Sequence, residues 1–309
     1  MTATDPSPFR RAGYRLFGRR FDYLLHTRPA EWPIMAAHTA LGYVLSAGLA
    51  GAAAGDALAP ALLGLVLWVV CLNGGTLAIN SAFDRDEGDI GYLRRPPPVP
   101  PRLFEFGMAL LLLGGALSLQ LPRGYTLAYG LCFVMSVLYS VPPFRFKAVA
   151  GVDWVINMIG FGALTPYAAW AATGRPMEPW AWLVFAGFAP LFAALYPLTQ
   201  LYQFEEDRRR GDRTLALMLG ERASLLLALG AAAVAFACFA WAGARQGWPA
   251  GSWRYGGLGV ALAAWLAVLL PWLVHHRRMT PAQHQRGMYA ALGAWAATDL
   301  AVALGFALA

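Results

Sequence analysis

The sequence predicts an all-α membrane protein of nine transmembrane helices, built as two four-helix repeats with a ninth helix added. Three observations carry this. The first is composition: of 309 residues, 58% are hydrophobic and only 13% charged, against roughly 25% charged in an average soluble domain. Mean hydropathy is +0.48. A soluble fold of this size has no core large enough to hide so much apolar surface, and a disordered chain needs far more polarity. The second is the spacing of the apolar runs, each close to the ~20 residues that a helix needs to cross the hydrocarbon core. The third is the placement of charge, which alternates between the two ends of successive runs.

Residues 1–32 form a basic segment ahead of a single transmembrane domain, 33–309. The segment holds Arg10, Arg11, Arg15, Arg19, Arg20 and Arg28. It is too long and too basic for a signal peptide, and the run after it is of full span length. From Phe9 to Leu25, the residues Tyr14, Phe17, Phe21 and Leu24 recur at helical spacing among the arginines. This reads as one amphipathic helix lying on the cytoplasmic leaflet. The nine spans follow near 33–54, 59–83, 103–121, 125–141, 150–172, 180–203, 223–244, 253–274 and 287–308. Pro190, Pro197 and Pro271 fall inside the sixth and eighth, where they suggest kinks. Of the 24 basic residues, 20 lie in the N-terminal segment and the even-to-odd loops; only Arg123, Arg175, Arg245 and Arg254 lie on the other side. The positive-inside rule therefore puts the N-terminus in the cytoplasm, and nine spans put the C-terminus outside. A cell inner membrane is the expected location. The net charge of +7 resides in short loops with a single lysine, Lys147, which argues topology and against a nucleic-acid surface. Cys71, Cys132 and Cys238 sit inside apolar runs and read as small buried hydrophobes.

The 17 acidic residues are few, so their positions inform. Four fall in Asp84-Arg85-Asp86-Glu87-Gly88-Asp89, and four in Glu205-Glu206-Asp207 and Asp212. Both sets end spans on the cytoplasmic side. At an offset of 123 residues, Asn80 overlies Gln203, Asp84 overlies Asp207, Gly88 overlies Gly211 and Asp89 overlies Asp212. Four spans separate the copies, which keeps them on one side and suggests duplication of a four-helix unit. Asn80 and Asp84 stand one turn apart on one helical face, as do Gln203 and Asp207. The glycines offer a break that turns the last Asp back. Two converging carboxylate sets repel unless a hard cation joins them. Mg²⁺ takes oxygen ligands and is usually held by one or two carboxylates together with substrate phosphates. The implied substrate carries a phosphate or diphosphate on a body apolar enough for a membrane.

These residues resemble the two aspartate-rich motifs of the UbiA superfamily of intramembrane aromatic prenyltransferases. Tyr139-Ser140-Val141-Pro142-Pro143 is similar to that family's Tyr-Ser-x-Pro-Pro loop, and Gly211-Asp212-Arg213-Thr214-Leu215-Ala216, running on to Leu219-Gly220, resembles the sequel to its second motif. The resemblance covers most of the chain. Two positions depart from it: Gly88 stands where an Asp is expected, with Asp89 one step later, and Gln203 replaces the first Asp of the second motif. They point to a subgroup with its own acceptor or reaction.

The resemblance implies spans arranged around a central cavity and Mg²⁺-dependent ionisation of an isoprenyl diphosphate. The allylic cation then alkylates an aromatic or other lipid-soluble acceptor. Asp84, Asp89, Asp207 and Asp212 are the expected metal ligands, with Asp86, Glu87 and Glu206 in reserve. Asn80 and Gln203 would hydrogen-bond beside the diphosphate. Arg94, Arg145, Lys147 and Arg208 would offset leaving-group charge, and Tyr139 would flank the cation or orient the acceptor. Asp153, with Asn157 one turn on, is a further candidate because charge at such depth is costly. Asp299, in the ninth span, reads as structural, and His38 as either packing or cavity-facing. A terpene cyclase of the same superfamily is the alternative, separated only by the acceptor. A transporter is disfavoured because its site belongs near the bilayer midplane, whereas these acids cluster at one surface.

Overall fold

The computed structural model describes residues 7–84, 93 and 95–308, with only the backbone of Arg210. Within them the fold is all helical, with no named strand and only isolated bridge residues, among them the pair Val149 and Arg213. The basic segment forms two short helices, α1 (Pro8–Phe17) and α2 (Phe21–His26). The single amphipathic helix expected over this stretch is therefore broken. Gly18, at φ 55°, ends the first piece, and Phe21 folds back onto Phe9, Tyr14 and Phe17 with ring centroids 5.5, 5.3 and 6.4 Å away. Phe9, Leu16 and Phe17 remain exposed.

Among the described residues nine long helices follow: α3 (Trp32–Ala54), α4 (Leu58–Asp84), α5 (Leu103–Ser118), α6 (Arg123–Ser140), α7 (Val152–Ala172), α8 (Pro179–Gln200), then, after the short α9 (Phe204–Arg210), α10 (Leu215–Arg245), α11 (Trp253–His275) and α12 (Pro281–Ala307). Seven of them are long and apolar enough to cross a membrane; α5 is apolar but shorter, and α6 has 18 residues. The chain is a multi-pass integral membrane protein. Helices α8 and α11 run through their prolines, and the non-helical backbone falls instead at Gly48 and Gly220.

Two large apolar cores form among the described residues, beside a small cluster of Phe21, Leu25 and Leu93. One gathers Leu67, Trp68, Leu111, Tyr125 and Tyr129 from α4 to α6. The other gathers Phe188, Leu225, Phe239, Trp265 and Trp295 from α8 and α10 to α12. Between helices in lipid the hydrophobic effect supplies little drive, so close approach matters. At Gly42 of α3, an added Cβ would lie 1.7 Å from the Pro166 carbonyl oxygen; only glycine lets α3 meet α7 there. Helices α4 and α7 each carry a π-helical stretch, at Leu67–Asn73 and Met158–Leu164. Both border the cavity described next, as such bulges often border functional sites.

Candidate active site

A cavity of about 420 Å³ opens between the helices. Its mouth is polar and its interior apolar, and both acidic sets reach it. Asn80 and Asp84 share a face of α4, as their spacing of four dictates, and both line it. The Asn80 side-chain oxygen accepts from Lys147 Nζ at 2.8 Å and from Ser140 Oγ at 3.2 Å. Lys147 also forms an ion pair with Asp84. Each of these two charged side chains is only 8% exposed, a burial that charges tolerate only when paired.

The second set is assembled around α9. Gln203 immediately precedes its first turn, and Asp207 follows one turn later, accepting from Thr214 Oγ1 at 3.1 Å. Gly211 at φ 73° ends the helix, and the Asp212 amide donates to the Asp207 carbonyl at 3.0 Å. A left-handed residue is needed there, and glycine takes it without a Cβ penalty. Gln203, Glu206, Asp207 and Asp212 all line the mouth. The two sets meet at Arg145: its Nη2 stands 3.5 Å from Asp84 Oδ1 and 3.5 Å from Asp212 Oδ1. The loop that carries Arg145 and Lys147 is pinned beside Asp212, because the Arg213 amide donates to the Ala148 carbonyl at 3.3 Å.

Tyr139 lies deeper, its hydroxyl 2.8 Å from that of Tyr196, and both line the cavity with Asn157. Beyond them the wall is Trp68, Leu72, Met135, Phe161, Phe192 and Trp295. Arg208 does not line the cavity. One residue from Asp207 is about 100° around the helix, and its guanidinium is exposed, 5.9 Å from the centroid of the Phe204 ring. Asp153 does not line the cavity either. It is fully buried and accepts from the Gly151 amide, Gln200 Nε2 and the Leu215 amide at 2.9, 3.0 and 3.3 Å. Gln200 Oε1 takes the Ala216 amide at 3.1 Å. Together they satisfy orphan donors at the start of α10, which fixes the Asp212–Thr214 turn in place. Asp86, Glu87, Asp89 and Arg94 lie outside the described residues.

Arg28, read from sequence only as a topology charge, also lines the mouth. It sits at φ 52°, is 8% exposed and is 3.7 Å from Glu31. Its Nε and Nη2 have no partner among the described residues. A buried guanidinium with idle donors at a cavity mouth suits an anion. Tyr202 stands nearby, its hydroxyl pushed up to about 12 chiefly by burial, so it stays a neutral donor.

Among the described residues no three His, Cys, Asp or Glu side chains cluster tightly enough to hold a metal by themselves. The donor chemistry still fits Mg²⁺. The mouth offers carboxylate oxygens from Asp84, Asp207 and Asp212 and amide oxygens from Asn80 and Gln203, and this ion usually takes one or two carboxylates and completes its shell with substrate phosphate and water.

Comparison with known proteins agrees with this arrangement. The model of the UbiA prenyltransferase family matches residues 40–307. A lycopene elongase/hydratase of Haloferax volcanii is 31% identical over 219 residues, which is 66% of this chain and 67% of that protein. The structure of a UbiA homologue from Archaeoglobus fulgidus bound to GPP and Mg²⁺ superposes with a TM-score of 0.66 at 20% identity, covering 91% of this chain and 99% of the other. The same homologue bound to DMAPP and Mg²⁺ gives 0.64 at 19%, covering 91% and 98%. At these identities the structures speak for the fold. With the family model spanning nearly all of the helical domain, the chain belongs to the UbiA prenyltransferase family and is a membrane-embedded prenyltransferase.

Proposed function

We propose that this protein uses Mg²⁺ to ionise an isoprenyl diphosphate and transfers the prenyl group to a lipid-soluble acceptor, with an apolar polyene as the favoured acceptor class. The observation that supports it most is Arg145, bridging Asp84 and Asp212, two of the acids that line the mouth of a cavity with a largely aromatic and aliphatic interior. All nine long helices cross the membrane in this reading, with the N-terminus and the cavity mouth in the cytoplasm of a cell bounded by an inner membrane. Asp84 and Asp207, with Asp89 and Asp212, hold the ion. When bound, Mg²⁺ neutralises charge on the diphosphate oxygens. Lys147, Arg145 and Arg28 supply N–H donors to the same oxygens, which carry more charge as the C–O bond breaks. Asn80 and Gln203 orient the diphosphate. Tyr139 and Tyr196 turn ring faces and hydroxyl oxygens toward the allylic cation, and the aromatic wall keeps water from it.

The polyene preference rests on two supports. The cavity beyond Tyr139 and Tyr196 has no Arg or Lys in its wall among the described residues, so nothing there would pair a carboxylate-bearing aromatic. The Haloferax relative is, by its description, a lycopene elongase/hydratase. The test is mass spectrometry of products from purified protein given DMAPP, GPP or longer diphosphates, with and without lycopene and a panel of phenolic acceptors. A prenylated polyene formed only with Mg²⁺ is the expected result. A cyclic product from the diphosphate alone would make it a cyclase, and undiminished turnover in excess EDTA would remove the metal.

A further inference from the structure

Prenyl transfer to an alkene leaves a cation on the acceptor, and some group must take the proton that ends the reaction. We infer that His38, held by Asp299, is that proton acceptor; the inference rests on the transfer reading above. His38 of α3 lines the cavity and is 4% exposed. Its Nδ1 lies 3.0 and 3.2 Å from the two carboxylate oxygens of Asp299 on α12. A carboxylate only accepts, so Nδ1 carries the hydrogen and Nε2 holds the free lone pair in the neutral ring. Phe188 and Trp295 pack edge to face on the imidazole at 4.8 and 4.9 Å and fix its plane. A carboxylate within a membrane span is costly and is a functional candidate by default; here its charge orients the ring and stabilises an imidazolium.

The protonated state is prepared in advance. Nε2 is 3.5 Å from the Gly162 carbonyl oxygen, in the π-helical stretch of α7. A bare lone pair gains nothing from that oxygen, but an Nε2–H does. The imidazolium then has an acceptor for each N–H. The depth is right as well. Gly162 is three residues from Thr165, whose hydroxyl oxygen accepts from Trp68 Nε1 at 3.2 Å. His38 is thus level with the Trp68–Leu72 turn of α4, eight or more residues from Asn80, or roughly 12 Å of helix. That is the span of a diphosphate, the allylic carbon and the new bond.

The step balances. The allylic C–O bond breaks and its electron pair leaves on the diphosphate. The acceptor's π pair forms the C–C bond, which places the cation on the neighbouring alkene carbon. An adjacent C–H bond breaks, its electrons form the new C=C, and the proton ends on Nε2. His38 is a catalytic residue in this scheme and Asp299 a positioning residue.

The experiment compares wild type, His38→Gln, Asp299→Asn and Asp299→Glu, as full-length protein in detergent, on the acceptor that the wild type alkylates. It measures alkylated alkene formed per diphosphate released, the share of alcohol products, and the Tm. The expected result is a fall in the alkene-to-diphosphate ratio of about a hundredfold or more in His38→Gln, as for loss of a general base, with a rise in alcohols. Asp299→Asn, which still accepts from Nδ1, lowers the ratio about tenfold at little cost in Tm, and Asp299→Glu restores most of it. A merely structural tie between α3 and α12 would lower Tm and leave the ratio alone; a ratio within threefold of wild type in both His38→Gln and Asp299→Asn overturns the inference. If His38→Gln does not fold, Asp299→Asn decides. If the wild type alkylates nothing and consumes diphosphate alone, the transfer reading fails. The dyad is still scored, because proton loss gives an alkene and water gives an alcohol.

Discussion

Lys147→Met removes the ammonium that bridges Asn80 and Asp84 while keeping most of the side-chain volume. Truncating one member of a buried ion pair leaves the other charge stranded, which typically costs about 3–5 kcal/mol. Asp84 is not wholly abandoned: Arg145 stays 3.5 Å away, though it is itself 34% exposed and partly screened by water. The lower end is therefore expected, about 3 kcal/mol, or roughly 10²-fold in an equilibrium or rate constant. Lys147 also donates to Asn80, so the amide loses the partner that orients it toward the diphosphate. If the ammonium follows the diphosphate as charge develops, the loss appears in kcat, where one such donor is worth about 10²–10³. If it only neutralises Asp84 at rest, the loss appears in Tm and leaves kcat almost unchanged. Initial rates of diphosphate release over a range of substrate, with melting curves in the same detergent, separate the two. A variant within threefold of wild type in kcat would refute the assignment of Lys147 to the leaving group.

The remaining predictions use the same protein and assays. Asp84→Ala and Asp207→Ala each lower turnover more than a hundredfold with the fold retained; either one keeping a tenth of wild-type rate, a barrier change of only about 1.4 kcal/mol, is not a principal ligand. Gly211→Ala meets no atom within 4 Å of its new Cβ, so its only cost is the left-handed backbone at φ 73°, about 1–2 kcal/mol. That misdirects Asp212 and lowers turnover about tenfold, while Gly220→Ala, equally open at φ 77° but not lining the cavity, leaves kcat within twofold. Burial lowers the pKa of His26 below its ordinary 6.5, so the unfolded chain takes up the proton first as pH falls. Thermal stability is therefore flat above about pH 6.5 and declines below it, and His26→Gln flattens that part of the decline.

What the sequence reveals and what it hides divide along chain separation. Span lengths, the helical faces of Asn80 with Asp84 and Gln203 with Asp207, and the break at Gly211 are all set within one or two turns. Each is readable from spacing. The limit of spacing appears at Arg208, which is next to Asp207 in sequence but about 100° away around the helix. Helix ends are blurred because hydropathy sees the hydrocarbon and not the backbone. The run expected over 103–121 stops at Ser118, whose hydroxyl donates to the Gly115 carbonyl at 2.7 Å, while α10 starts eight residues before its apolar run because Asp153 and Gln200 cap it. That brace joins residues 47 apart, and His38 meets Asp299 across 261. No local pattern encodes either; Asp153, a site candidate by its depth in the span, is bonded to the start of α10. Arg28 was visible but ambiguous: a basic residue before the first span serves topology in any membrane protein, and only burial with idle donors distinguishes it.

The 123-residue offset acquires a physical meaning at the mouth. It pairs Asn80 with Gln203 and Asp84 with Asp207, and all four side chains line one cavity. Bringing two acidic helix ends into one low-dielectric space creates repulsion that neither half can relieve alone. The cations that relieve it belong to the segment joining α6 to α7, where Arg145 touches Asp84 of one half and Asp212 of the other, and Lys147 is buried against Asp84. The backbone bond from Arg213 to Ala148 holds that segment to the second half. The join is therefore as much part of the site as the two repeated ends. Arg145 and Lys147 already compensate part of the carboxylate charge of Asp84 and Asp212. In the proposed reaction, a charge balance shared in this way would favour the entry of an anion together with a divalent cation.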